Sequence, residues 1–160
     1  MRPARTPIGL QLTQASRVVG RAFDDALAAA GGSLPVWLVL VSLKSRSLAS
    51  QRELAEVMGI REATLTHHLT SMESAGLVTR RRDAANKRIQ VVELTEAGEE
   101  VFGRLREVAF AFDKQLRRGI SAAETSALED LLGRLEANVG SGAHGMRPWA
   151  GLAEGGSPSD

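Results

Sequence analysis

The sequence predicts a mainly α fold with a small β-hairpin, an α+β chain in which strands are the minor part. Three observations carry this. Apolar residues recur at helical spacing along most of the chain. Two short stretches between Leu77 and Leu94 alternate instead. Ser and Thr capping signals stand where helices are due to begin.

From Ile8 to Ala30 the positions Ile8, Leu12, Ala15, Val19, Ala22, Phe23 and Ala26 form one helical stripe, which Gly31 and Gly32 stop. Ser33-Leu34-Pro35 restarts a helix, with Pro35 suited to a first turn. The run Val36 to Val41 is apolar on every face, as in a helix buried all round. Ser50-Gln51-Arg52-Glu53 is a capping box opening a short helix packed through Leu54, Ala55, Val57 and Met58 and broken by Gly59. A second helix spans about Arg61 to Ala75, with Leu65, Leu69 and Met72 on one face and Gly76 as its stop.

The stretches Leu77 to Arg80 and Ile89 to Leu94 read as strands joined by a charged connection, Arg81 to Arg88. Thr95 caps a helix carrying Val101, Leu105, Val108, Phe112 and Leu116. Ser121-Ala122-Ala123-Glu124 is a second capping box, opening a helix with Leu128, Leu131, Leu132, Leu135 and Val139. Residues 140–160 are rich in Gly, Ser and Pro and read as a disordered tail.

Composition narrows the function. There is no Cys, which excludes disulfides and thiolate metal sites. No apolar run has the length of a membrane span, and no apolar segment follows Arg2 and Arg5 as a secretory signal requires. The expectation is a cytoplasmic protein with no membrane partner. Net charge is only +1, but residues 44–90 hold nine basic and five acidic side chains, whereas residues 91–160 hold seven basic and twelve acidic. A basic middle is what a localised polyanion site produces. No Gly-rich phosphate loop, nucleophile elbow, HExxH or acid–base pair points to an enzyme. His67 and His68 point about 100° apart on a helix, so they do not grip one metal ion, and no cofactor or metal is expected.

Two short helices joined by a Gly turn, followed by a basic hairpin, make a helix-turn-helix with a wing. Ala55 supplies the small residue where the helices cross, and Gly59 the turn. Opposite the Leu65/Leu69/Met72 stripe lie Thr66, His67, Thr70 and Ser71, short polar groups that approach base edges and phosphates without the repulsion of a carboxylate. The candidate DNA-contacting residues are Ser50, Gln51, Arg61, Thr64, Thr66, His67, Thr70, Ser71, Arg81, Arg82, Lys87 and Arg88, with Arg80 part of the same basic hairpin.

Ala63-Thr64-Leu65-Thr66-His67-His68-Leu69, Met72 to Val78, Asn86-Lys87-Arg88 and Leu94-Thr95-Glu96-Ala97-Gly98 together resemble the MarR family, the multiple-antibiotic-resistance-type regulators. The resemblance implies a winged helix-turn-helix at 34–95, dimerisation helices at 1–33 and 96–139, and a homodimer that binds a palindrome in double-stranded DNA, in the manner of a nucleoid-associated repressor. It places the minor-groove wing residue on Arg88. Asn86 then stands where an Asp commonly orients that Arg, and His67 where many members carry Arg. It also implies release by a small aromatic or phenolic ligand, for which Arg17, Arg21 and Trp37 are the candidates. Two other readings differ in what they predict: a constitutive or architectural DNA binder shows no ligand-shifted melting, and a winged-helix protein adaptor shows no salt-dependent DNA binding.

Overall fold

The computed structural model describes residues 6–45 and 49–140. The expected tail therefore lies outside the described residues, apart from Gly140. Helix α1 spans Ile8–Ala29. Its Leu27 is buried, but Ile8, Leu10 and Val18 are exposed, so much of its apolar stripe is uncovered within one chain. Gly31, at φ 79°, turns the chain, and the Gly32 N–H donates back to Leu27 O at 2.9 Å. The Asp24 Oδ1 atom on α1 then accepts the Leu34 N–H at 2.8 Å, at the start of the next helix.

Helix α2 spans Leu34–Ser45 and runs through the centre. Trp37, Val39, Leu40, Val41 and Leu43 are all buried, as a helix apolar on every face requires. The buried Ser42 hydroxyl is satisfied by donating to Leu38 O at 2.7 Å. Strand β1, Ala49–Ser50, leads into α3, Gln51–Met58, where the Ser50/Glu53 capping box is present. Gly59, at φ 64°, supplies the left-handed turn. Helix α4, Glu62–Ser74, buries Leu65, Leu69 and Met72 against this core.

Strands β2, Val78–Arg82, and β3, Gln90–Leu94, pair antiparallel, with Val78 opposite Leu94 and Arg82 opposite Gln90. The hairpin differs from the sequence expectation in two ways. Arg81 and Arg82 belong to the strand rather than to the connection, because they pair with Val91 and Gln90. The sheet also has a third strand, in the order β1-β3-β2, because Ala49 and Ser50 pair with Val92 and Val91.

Helix α5, Glu96–Leu116, is capped by Thr95, whose side chain accepts the Gly98 N–H at 3.0 Å. It packs on α1 and α2, with Phe23 5.0 Å from Phe112 and Trp37 stacked 5.7 Å from Phe102. Helix α6, Ala122–Asn138, begins at the Ser121/Glu124 capping box and buries no residue. Its Leu128 and Leu131 are about half exposed, at 51% and 50%. No single helix among the described residues is long and apolar enough to cross a membrane.

Candidate nucleic-acid interface

The apolar stripe of α4 faces the core, which turns Thr64, Thr66, His67, Thr70 and Ser71 outward, all of them exposed. Arg61 precedes the helix as its exposed N-cap residue, with no side-chain cap bond. Helix α3 buttresses this face: Gln51 Nε2 donates to Thr66 Oγ1 at 2.6 Å, and Thr66 Oγ1 donates to Glu62 O at 2.8 Å. The rings of His67 and His68 lie 6.1 Å apart with planes 59° apart. His67 is exposed, while His68 is half-buried.

Between α4 and the hairpin lies a groove of about 730 Å³. Ser50, Gln51, Arg52, Glu62 and Thr66 form one wall, and Arg80, Arg88, Ile89 and Gln90 the other. The structure thus brings Ser50, Gln51, Thr66 and Arg88 together. Arg61, Thr64, His67, Thr70, Ser71, Arg81, Arg82 and Lys87 are exposed outside it.

Arg52 and Gln90 line the groove although the sequence did not single them out, and Arg80, expected only as part of the basic hairpin, lines it too. For Arg80 the signal was available: strand alternation puts it on the face of Val78, toward α4, and Arg81 on the other. Arg80 donates to Glu73 from Nε at 3.0 Å and from Nη2 at 2.6 Å. The side-chain bond from Arg80 is the main reason the Glu73 carboxyl lies below the usual carboxylate range. Arg81 is held elsewhere, by Glu93, through Nη2 at 2.8 Å and Nε at 3.1 Å. That bond lowers the Glu93 carboxyl and raises the Arg81 guanidinium.

The wing tip is built by carboxamide and carboxylate turns. Asp83 Oδ1 accepts the N–H groups of Ala85 and Asn86, both at 2.8 Å, and Asp83 N–H donates to Ile89 O at 2.9 Å. Asn86 Oδ1 accepts the backbone N–H of Arg88 at 3.1 Å. The resemblance implied that this position orients the Arg88 guanidinium. Instead the amide shapes the backbone that carries Arg88, a neutral acceptor being well suited to an N–H two residues on.

The candidate ligand residues are not gathered. Trp37 is buried against Phe102, while Arg17 and Arg21 are exposed on α1. Among the described residues the cations over aromatic rings are Lys44 over Phe102 and Arg106 over Phe110.

A short helix pair with an αL turn, an outward face of hydroxyls and imidazole, and a basic hairpin beside it define a winged helix-turn-helix. Comparison with known proteins is specific beyond that class. Residues 33–90 match the MarR family. The chain is 33% identical over 129 residues to the HTH-type transcriptional regulator YdgJ of Bacillus subtilis (strain 168), covering 81% of this chain and 77% of that one. The fold superposes with a TM-score of 0.75 on a Cys-to-Ser mutant of MarR from E. coli in complex with operator DNA, at 23% identity, covering 81% of this chain and 93% of that one. It superposes with a TM-score of 0.73 on the organohalide-sensing transcriptional regulator RdhR in its 2,4-dichlorophenol-bound form, at 20% identity over 82% of this chain and 78% of that one. This chain belongs to the MarR family of DNA-binding transcriptional regulators.

Proposed function

We propose that the chain acts as a homodimeric repressor that reads a palindromic site in double-stranded DNA and is released by a small aromatic or phenolic ligand. The groove between α4 and the wing carries the DNA reading. One wall offers hydroxyl and carboxamide groups of base-contacting size, and the other offers Arg88 on a shaped tip. The uncovered apolar side chains of α1, of α6 and of the Val139 that caps α6 support the dimer, since Val18, Leu128, Leu131 and Val139 are left without a cover in one chain. The phenol bound by the similarly folded RdhR supports the ligand class.

Selection of duplexes from a random pool, followed by titration at several salt concentrations, tests the reading. A two-fold symmetric consensus, bound with an affinity that falls steeply as salt rises, is expected. Binding with no sequence preference would favour the architectural alternative, and no binding would favour the protein adaptor. Phenolic acids are expected to raise the melting temperature and weaken operator binding. A ligand at a hundredfold its Kd stabilises by about 2.7 kcal/mol.

A further inference from the structure

Glu73 and Arg80 stand on either side of the Gly76 turn, one on the last turn of α4 and the other in β2. A single carboxylate takes three hydrogen bonds from one residue. Arg80 N–H reaches Oε1 at 3.3 Å, while Nε and Nη2 reach Oε2 at 3.0 and 2.6 Å. Nη2 donates as well to Thr70 Oγ1 at 3.2 Å, one turn earlier on α4. The Arg80 side chain is only 18% exposed, faces the same way as Val78, and lines the groove beside Thr66 and Arg88.

The base of the hairpin is held by buried Val78, Val91 and Val92 and by the pairing of β3 with β1. Its outer part has no such anchor, since every residue from Ala84 to Gln90 is exposed. An ion pair at a surface adds little to folding stability, so stability does not account for such a geometry. A guanidinium fork is directional, however, and fixes the orientation of what it joins. We infer that Glu73 is a positioning residue for DNA binding: through Arg80 it locks the wing at one angle to α4, so that Arg88 and the outward face of α4 meet the duplex together. Thr70 then serves through the same tie, its hydroxyl accepting from Arg80. Binding gains because the wing is ordered before the DNA arrives. The inference rests on the DNA reading above.

The test is a double-mutant cycle on the duplex selected by the wild-type protein, with wild type, Glu73→Gln, Arg88→Ala and the double variant. Glu73→Gln is expected to weaken binding by about tenfold with only a small fall in melting temperature, since the carboxylate itself is 40% exposed. In that background Arg88→Ala is expected to cost less than about twofold further, because an untied wing no longer delivers Arg88. Arg80→Lys keeps the charge but loses the fork, and is expected to behave like Glu73→Gln. Additive losses in the cycle would overturn the inference, as would wild-type affinity in Glu73→Gln or Arg80→Lys. If Arg88→Ala alone costs nothing, the coupling is absent and the inference falls while the DNA reading stands. If the wild type selects no duplex, the DNA reading fails and takes this inference with it.

Discussion

Gly98 and Leu77 approach so closely that a Cβ on Gly98 would overlap the Leu77 carbonyl oxygen. The same carbonyl accepts the Thr95 N–H at 3.1 Å, and the Thr95 hydroxyl donates to Gly76 O at 2.5 Å. The first turn of α5 is thereby seated on the turn between α4 and β2, which joins the winged head to the long helix behind it.

Gly98→Ala is therefore expected to destabilise the chain although alanine is the better helix former. Backbone atoms cannot swing aside as a side-chain tip can, so α5 must shift off its seat. The cost is expected to be about 3 kcal/mol, measured as a fall in the denaturant midpoint. Gly103→Ala is the control on the same helix. Nothing lies within 4 Å of its Cβ position, and it is expected to be neutral or slightly stabilising.

These packing relationships separate what was legible in the sequence from what was not. The capping boxes at Ser50/Glu53 and Ser121/Glu124 close over three residues, so their signal is local, and both are present. The α4 stripe and outward face follow from helical period alone. The role of Gly98 was not legible, because it lies in Leu77, twenty-one residues earlier. Strand β1 was missed since two residues show no alternation and the partner strand lies some forty residues on. The groove wall at Arg52 and Gln90 depends on how α3 and the hairpin sit in space, which no spacing encodes. Arg80 was legible from strand alternation, since the expected strand Leu77 to Arg80 already places it two residues after Val78, on the same face.

The dimer proposed from α1 and α6 makes a prediction in the surface that is uncovered here. Leu128→Glu combined with Leu131→Glu is expected to leave one chain folded, since both side chains are about half exposed. Within a dimer interface the same changes bury two charges without partners. Light scattering should give twice the chain mass for wild type and the chain mass for the variant, with operator affinity falling in parallel. A wild-type monomer that binds its operator would refute the dimer.

His67 is exposed on α4 and carries no protein hydrogen bond among the described residues. His67→Ala is expected to keep the fold, cost about 1–3 kcal/mol at the selected site and change the consensus at one position per half-site. An unchanged consensus and affinity in repeat selection would remove it from the reading residues.

Acid sensitivity follows from three carboxylates held below their ordinary range: Glu73 by Arg80, Glu93 by Arg81, and Glu124 by the Ser121 backbone N–H. A depressed folded-state value means stability that is fully present above the ordinary carboxylate value and lost as pH falls through the lowered one. The denaturant midpoint is therefore expected to be flat near neutrality and to drop on the acid side of that range. Glu124→Gln is expected to lower the neutral midpoint and reduce the acid slope. An acid slope unchanged by Glu124→Gln would show that this carboxylate is not lowered in the folded chain.

Arg88 and Arg82 are both basic and both exposed on the hairpin, yet the proposed DNA reading expects different work of them. Arg88 follows the Asn86 turn at the tip and lines the groove wall, where an extended guanidinium can enter a narrow minor groove. Such grooves concentrate negative potential over A·T-rich steps. Arg82 sits at the end of β2, opposite Gln90 and outside the groove, and is expected to meet phosphates, which carry no direct sequence information. Arg81 is held by Glu93 and is expected to contribute less than either. Arg88→Ala should weaken binding most at sites with A·T-rich flanks. Arg82→Ala should weaken all sites about equally and flatten the salt dependence, with about 0.9 removed from the slope of log K against log salt for each phosphate it no longer neutralises. Titrations at several salt concentrations, on two operators differing only in their flanks, distinguish these roles. A loss for Arg88→Ala that is the same on both flanks would make the tip one more phosphate clamp and refute the minor-groove role.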